Sequence, residues 1–146
     1  MNGREALKRQ ESPGFSRGEC QRKIIASIDR AMDLAQKIST LLSFGTNNDE
    51  IYKKVLQCRL EVQYALALLC INYEMECRPQ KARGKPEMER DMLQISDHLS
   101  KCKDLLSSGR TKDAVKELLA ADTLLGHLII WLRREKKVPW DKPPIS

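Results

Sequence analysis

Residues 33–45 read DLAQKISTLLSFG, and residues 97–109 read DHLSKCKDLLSSG. With a shift of 64 residues, the Asp, the Lys, the Leu-Leu-Ser triplet and the final Gly of the two stretches coincide. Gly is the residue that most readily ends a helix, because it adopts the left-handed conformation without a steric penalty. The alternative is convergence between two amphipathic helices, in which Leu and Ser are common. We interpret the match as a tandem repeat of two related helical hairpins.

Outward from these stretches, apolar residues recur at alternating steps of three and four over four segments of the chain, which is the spacing of one helix face. The four stripes are Ile24, Ile28, Ala31, Ala35, Ile38 and Leu42; Ile51, Val55, Cys58, Val62, Ala65 and Leu69; Met88, Met92, Ile95, Leu99, Cys102 and Leu106; and Ala114, Leu118, Ala121, Leu125, Leu128 and Leu132. Gly45, Gly109, Pro79 and Pro86 separate the segments. The pattern predicts helices over about 19–43, 49–77, 86–107 and 111–136.

The short turns after the first and third helices make each pair antiparallel neighbours. The heptad-like spacing favours shallow crossing angles of about 20°. We therefore predict an all-α, antiparallel up-down-up-down four-helix bundle over residues 17–138, made of two pseudo-repeated helical hairpins. Residues 1–16 are predicted to form a flexible N-terminal arm, and residues 139–146 a Pro-rich C-terminal tail.

The composition of the 146-residue chain is that of one globular domain, with 41% hydrophobic and 32% charged residues. Its start lacks the apolar core of a signal peptide. The longest apolar run, residues 64–71, is far too short to span a membrane. Five cysteines without a repeated spacing do not form the pattern of a secreted disulfide framework. These features predict a cytoplasmic protein that is not bound to a membrane.

Basic residues concentrate where the predicted topology brings three segments to one end of the bundle. That end would hold the start of the first helix, the second loop and the end of the fourth helix. The start of the first helix contributes Arg17, Arg22 and Lys23. The predicted partner or polyanion site consists of Arg78, Lys81, Arg83, Lys85, Arg133, Arg134, Lys136 and Lys137. Convergent cations can neutralise phosphates. The alternative is that they only complement helix dipoles and keep the loops solvated.

The second and fourth helices carry a further apolar stripe opposite the core stripe, whereas the first and third are polar there. The predicted oligomer interface consists of Leu56, Leu60, Tyr64, Ala67, Ile71, Leu119, Thr123 and Ile130. Large exposed apolar patches usually mark an interface. We therefore predict a homodimer or a partner helix, the dimer being the simplest symmetric solution. The alternative is that these two helices sit centrally and the other two cover them.

No P-loop, GxGxxG, HExxH or GxSxG motif occurs in the chain. His98 and Cys102 share a helix face, but two ligands are too few for a metal site, and Cys58 and Cys102 occupy core positions. We predict no catalytic residue, metal, cofactor or small-molecule substrate. The function predicted is a non-catalytic helical binding or scaffold protein, which self-associates and engages a partner through the basic end. The alternatives are a nucleic-acid-binding module or helical subunit of a nucleoprotein complex and, less favoured, a thiophilic-metal sensor.

Overall fold

The computed structural model describes residues 17–45, 48–73 and 85–136, and within these ranges all regular structure is α-helical. Helix α1 spans Arg17–Ser43 and α2 spans Asn48–Tyr73. Helix α3 spans Met88–Ser107 and α4 spans Thr111–Lys136. The prediction of an all-α four-helix bundle made of two hairpins is confirmed. The predicted N-terminal arm, C-terminal tail and last four residues of the second helix (74–77) lie outside the described residues.

The glycines that close the repeated stretches end α1 and α3 in the same way. Gly45 has φ 67° and Gly109 has φ 77°, both in the left-handed region. After α3, the amide of Gly109 donates to the carbonyl of Leu106, and the amide of Arg110 donates to that of Leu105. This pair of bonds is the Schellman motif, which satisfies the last carbonyls of the helix. The shared Gly of the two sequence stretches therefore has the same role in both turns.

The four helices form a closed ring in which each contacts two others. α1 packs on α2 and α3, and α4 packs on α2 and α3. All the residues of the four sequence stripes are buried except Leu42 and Met88, which are partly buried against the same core. Because α2 and α4 are corners of this ring like the other two helices, neither sits centrally, and both keep an outward face.

The directions of the helices differ from the predicted up-down-up-down order. The guanidinium carbon of Arg133 lies 5.6 Å from the ring centre of Tyr52, so the end of α4 meets the start of α2. Arg59 and Asp122 meet further along the same two helices, at 3.1 Å. α2 and α4 are therefore antiparallel. Since each hairpin is itself antiparallel, the order is up-down-down-up.

The contacts between α1 and α3 have the same geometry. The side-chain amide of Gln21, at the start of α1, donates to the carbonyl of Leu106, at the end of α3, at 3.5 Å. Lys103 donates to the carboxylate of Asp29 at 2.7 Å. A two-fold relation between the hairpins explains both antiparallel pairs, because it brings each helix against its own repeat in the opposite direction. The up-down-up-down prediction was wrong because short turns fix the direction within a hairpin but not between hairpins.

Candidate functional site: an apolar stripe on helix α2

One row of apolar side chains on α2 faces away from the bundle. Leu60 is 64% exposed, Tyr64 43% and Ile71 59%, and Ala67 between them is exposed as well. We call these four residues the α2 stripe. Their spacing of four, three and four residues keeps them in line along the helix over about 16 Å. None of the described residues covers the stripe, so it forms a continuous exposed apolar surface.

The bundle exposes the α2 stripe because the core takes the opposite side of the same helix. Val62, Ala65 and Leu69 alternate with the stripe residues in sequence and are buried. Gln57 and Gln63, which border the stripe, are exposed and uncharged. The ion pair between Arg30 and Glu61, at 3.0 Å, lies beside it, where α2 meets α1. The stripe itself therefore carries no charge to oppose an apolar partner.

The predicted interface residues outside the stripe lie in different surroundings. Leu56 and Leu119 are partly buried and pack against the core. The hydroxyl of Thr123 donates to the carbonyl of Leu119 at 2.9 Å, within α4. Ile130 is exposed. The continuous apolar surface is thus narrower than the predicted one and belongs to α2 alone.

The structure divides the predicted basic end between the two ends of the bundle. Lys85 precedes α3, and Arg133 and Arg134 end α4, so these three lie at one end. Arg22 and Lys23, near the start of α1, lie at the other end because α1 and α4 run in the same direction. Among the described residues, Arg22 and Lys23 therefore lie apart from Lys85, Arg133 and Arg134. Of the other predicted residues, Arg78, Lys81, Arg83, Lys137 and the side chain of Lys136 lie outside the described part.

The described thiols are poorly suited to reactive chemistry. Cys20, Cys58 and Cys102 are free and buried. Burial raises the pKa of Cys58 and of Cys102 to about 12, because removal from water penalises the thiolate. The Cys58 thiol donates to the carbonyl of Ala31 at 3.4 Å. Cys70 is disulfide-bonded. Among the described residues, no group of three or more His, Cys, Asp or Glu could hold a metal ion.

A second surface feature is a cleft of about 450 Å³ between α3 and α4. Both histidines of the chain are among the residues that line it. The side chain of His98 contacts Glu117, with 2.8 Å between Nδ1 and Oε1. His127 lies further along α4 than Glu117 and lines the same cleft. The apolar spacing assigns the two histidines to different helices but does not indicate that they lie close together. The cleft could have been predicted by pairing the third and fourth helices in antiparallel register about the turn at Gly109.

Comparisons with protein-family models, with curated proteins and with solved structures find no match for the chain. Among the described residues, no helix is both long enough and apolar enough to cross a membrane. The geometry of the chain's own residues is therefore the basis of the functional proposals that follow.

Proposed function

We propose that the protein is a non-catalytic helical scaffold that self-associates, and that its α2 stripe packs against the α2 stripe of a second copy. The observation that carries the proposal is the exposure of Leu60, Tyr64 and Ile71 in one line on a single helix. Soluble monomers rarely leave such a row in water, because covering apolar surface is favourable by about 25 cal/mol per Å².

A second copy fits the stripe because the stripe is self-complementary. Its four-three-four spacing is the one at which the side chains of one helix fit between those of another helix of the same spacing. In an antiparallel pair related by a two-fold axis, Tyr64 and Ala67 would lie at the centre, with Leu60 of each copy near Ile71 of the other. Gln57 and Gln63 at the borders are neutral, so like charges do not oppose this pairing.

The size of the stripe predicts a weak dimer. Burying a large apolar side chain fully contributes about 1.5–3 kcal/mol, and these side chains are already partly covered. Association costs at least about 4 kcal/mol in lost freedom of motion. The six large stripe side chains of a dimer outweigh this cost only modestly. A net gain of about 4–8 kcal/mol corresponds to dissociation constants between about 1 mM and 1 μM, so association should become visible at raised concentration.

The test is sedimentation equilibrium between about 5 μM and 500 μM. The unchanged chain should shift from monomer to dimer over this range, and Leu60→Glu or Ile71→Lys should keep it monomeric. Leu93→Glu is the matched control, because Leu93 is 69% exposed on α3, away from the stripe. A monomer at every concentration, or equal effects of Leu60→Glu and Leu93→Glu, would refute the pairing.

A second proposal is that the end formed by the start of α2, the residues before α3 and the end of α4 binds a polyanionic partner. Lys53, Lys54, Lys85 and Arg134 all lie at this end. Lys and Arg side chains that neutralise phosphates release counterions, so affinity should fall steeply with salt. Lys85→Glu with Arg134→Glu should abolish binding to single-stranded RNA at low salt, whereas Lys101→Glu on the outer face of α3 should only weaken it. An RNA affinity that is unmeasurable at low salt would remove this proposal.

A further inference from the structure

The histidine cleft between α3 and α4 has the volume of a small-molecule site and a mostly polar lining. Its volume of about 450 Å³ falls within the roughly 300–1,000 Å³ that is usual for such sites. Pro86, Ala120 and Leu124 supply apolar lining. Polar and charged groups complete the lining: Lys85, Arg90, Asp91, Gln94, His98, Thr123 and His127. The cleft therefore joins an apolar surface to a set of hydrogen-bonding groups.

The protein itself uses some of these polar groups. The hydroxyl of Thr123 donates to a carbonyl within α4. Asp91 is buried and accepts hydrogen bonds from the backbone amide of Glu87 and from Arg90. Its carboxylate thus caps the start of α3 by holding an amide that the helix itself leaves unpaired. These two residues shape the cleft and are not free for a ligand.

The two histidines differ in how much of their hydrogen-bonding capacity remains. An ionised Glu117 carboxylate only accepts, so Nδ1 of His98 donates to it and Nε2 remains for another group. His127 makes no hydrogen bond within the described part of the chain, so both of its ring nitrogens remain available. Each imidazole can therefore hydrogen-bond a molecule in the cleft.

Two cations border the cleft on the side where α3 begins. Lys85 is exposed, and no carboxylate of the described residues pairs with it. Arg90 contacts Glu87 at 3.3 Å and Asp91 at 3.4 Å. Both distances are longer than the roughly 2.7–2.9 Å of strong charge-assisted hydrogen bonds. Arg90 is thus weakly held, and a ligand carboxylate or phosphate could form a shorter bond to it.

We propose that this cleft binds a small organic anion, whose carboxylate or phosphate group is held by Lys85 and Arg90 and whose apolar body lies on Ala120 and Leu124. His98 and His127 hydrogen-bond the ligand from the two facing helices, and Glu117 fixes the ring of His98. This site is independent of the α2 stripe, because it lies between α3 and α4.

The test uses the imidazole resonances in nuclear magnetic resonance spectra of the whole chain. The chain contains only two histidines, so His98→Gln and His127→Gln assign the two signals. Benzoate and phenyl phosphate are the probes, benzamide is the neutral analogue of benzoate, and inorganic phosphate lacks the apolar body. We expect benzoate or phenyl phosphate to shift both signals saturably, and inorganic phosphate to act only at much higher concentration.

Lys85→Gln should weaken probe binding about tenfold, in line with the loss of one hydrogen bond to a charged group. Because Lys85 is exposed and precedes α3, this change leaves the fold intact. Lys101→Gln, on α3 but outside the cleft, is the control and should leave affinity unchanged. The proposal is overturned by the absence of any saturable shift up to 20 mM probe, by equal shifts with benzamide, or by equal effects of the two lysine changes.

Discussion

Gly126 lies in the interior of α4, where glycine is costly, and the structure explains its presence through Arg59. A Cβ atom at this position would lie 2.9 Å from Nη2 and 3.0 Å from Cζ of the Arg59 guanidinium. Arg59 in turn pairs with Asp122, which is only 8% exposed. Gly126→Ala would therefore force the guanidinium away from the position in which it neutralises a nearly buried carboxylate.

The magnitudes make this a measurable coupling. In a helix interior, Gly→Ala should raise the free energy of unfolding by about 1 kcal/mol. With Arg59 in place, we expect this gain to be lost, so Gly126→Ala should leave stability unchanged or lower it by about 1 kcal/mol. In an Arg59→Met background the obstacle is gone, and the same substitution should be stabilising. The coupling between the two positions is then about 1–2 kcal/mol.

The assay is a double-mutant cycle measured by urea unfolding, followed by circular dichroism. Arg59→Met alone should cost about 2 kcal/mol, less than for a fully buried pair, because Asp122 keeps some contact with water. Arg110→Met is the control: it removes the exposed pair with Asp113 and should cost less than about 0.5 kcal/mol. Equal stabilisation by Gly126→Ala in both backgrounds would refute the reasoning.

Three further changes test other contacts. Tyr52→Phe should raise the free energy of unfolding by about 1 kcal/mol in urea titrations, because the buried Tyr52 hydroxyl finds no hydrogen-bond partner among the described residues; a loss of stability would contradict this. Gly109→Ala should cost about 1–2 kcal/mol, since φ of 77° strains any Cβ even in open space, and Gly109→Asn should recover part of the loss. Cys58 and Cys102 should react with an aromatic disulfide reagent at pH 8 only as fast as the chain unfolds, because their pKa of about 12 leaves almost no thiolate; rapid labelling in native buffer would show that burial does not protect them.

The sequence pattern was sufficient for the helices and the core. Spacing of apolar residues directly reports which side of a helix is buried, so positions such as Ile28, Leu99 and Leu125 were predicted to be buried and are. Turn chemistry was equally informative, since Gly45 and Gly109 end their helices with positive φ. Both signals are local, and each depends on only a few neighbouring residues.

The functional surface was harder to predict because it depends on how the hairpins pack. Leu60 and Leu56 look alike in sequence, yet Leu60 is exposed and Leu56 packs against the core. The placement of Arg22 and Lys23 beside the end of α4 was wrong for the same reason: it required the direction of α4 relative to α1, which no apolar stripe reports. The histidine cleft depends on the register between α3 and α4, a property of two helices together.

Polar pairs supply the directional information that the apolar stripes lack. Each of the four helix–helix contacts contains at least one interhelical pair of charged or histidine side chains; these include Arg30–Glu61, Arg59–Asp122, Asp29–Lys103 and His98–Glu117. Apolar stripes could pack with the second hairpin in either direction, whereas these oppositely charged side chains meet in only one of the two directions.

Arg59 and Asp122 show this most clearly, because they occupy equivalent positions of the repeat. They are 63 residues apart, which is also the offset between the core stripes of α2 and α4, such as Val55 and Leu118. A two-fold axis between the hairpins brings a residue near the axis into contact with the equivalent residue of the other hairpin. Opposite charges at equivalent positions therefore favour this arrangement of the two hairpins. Reversing both residues, Arg59→Asp with Asp122→Arg, should therefore preserve the topology, while either change alone places like charges together at a nearly buried site. Complementary charge at equivalent repeat positions is the sequence signal that distinguishes the observed order of helices from the up-down-up-down order.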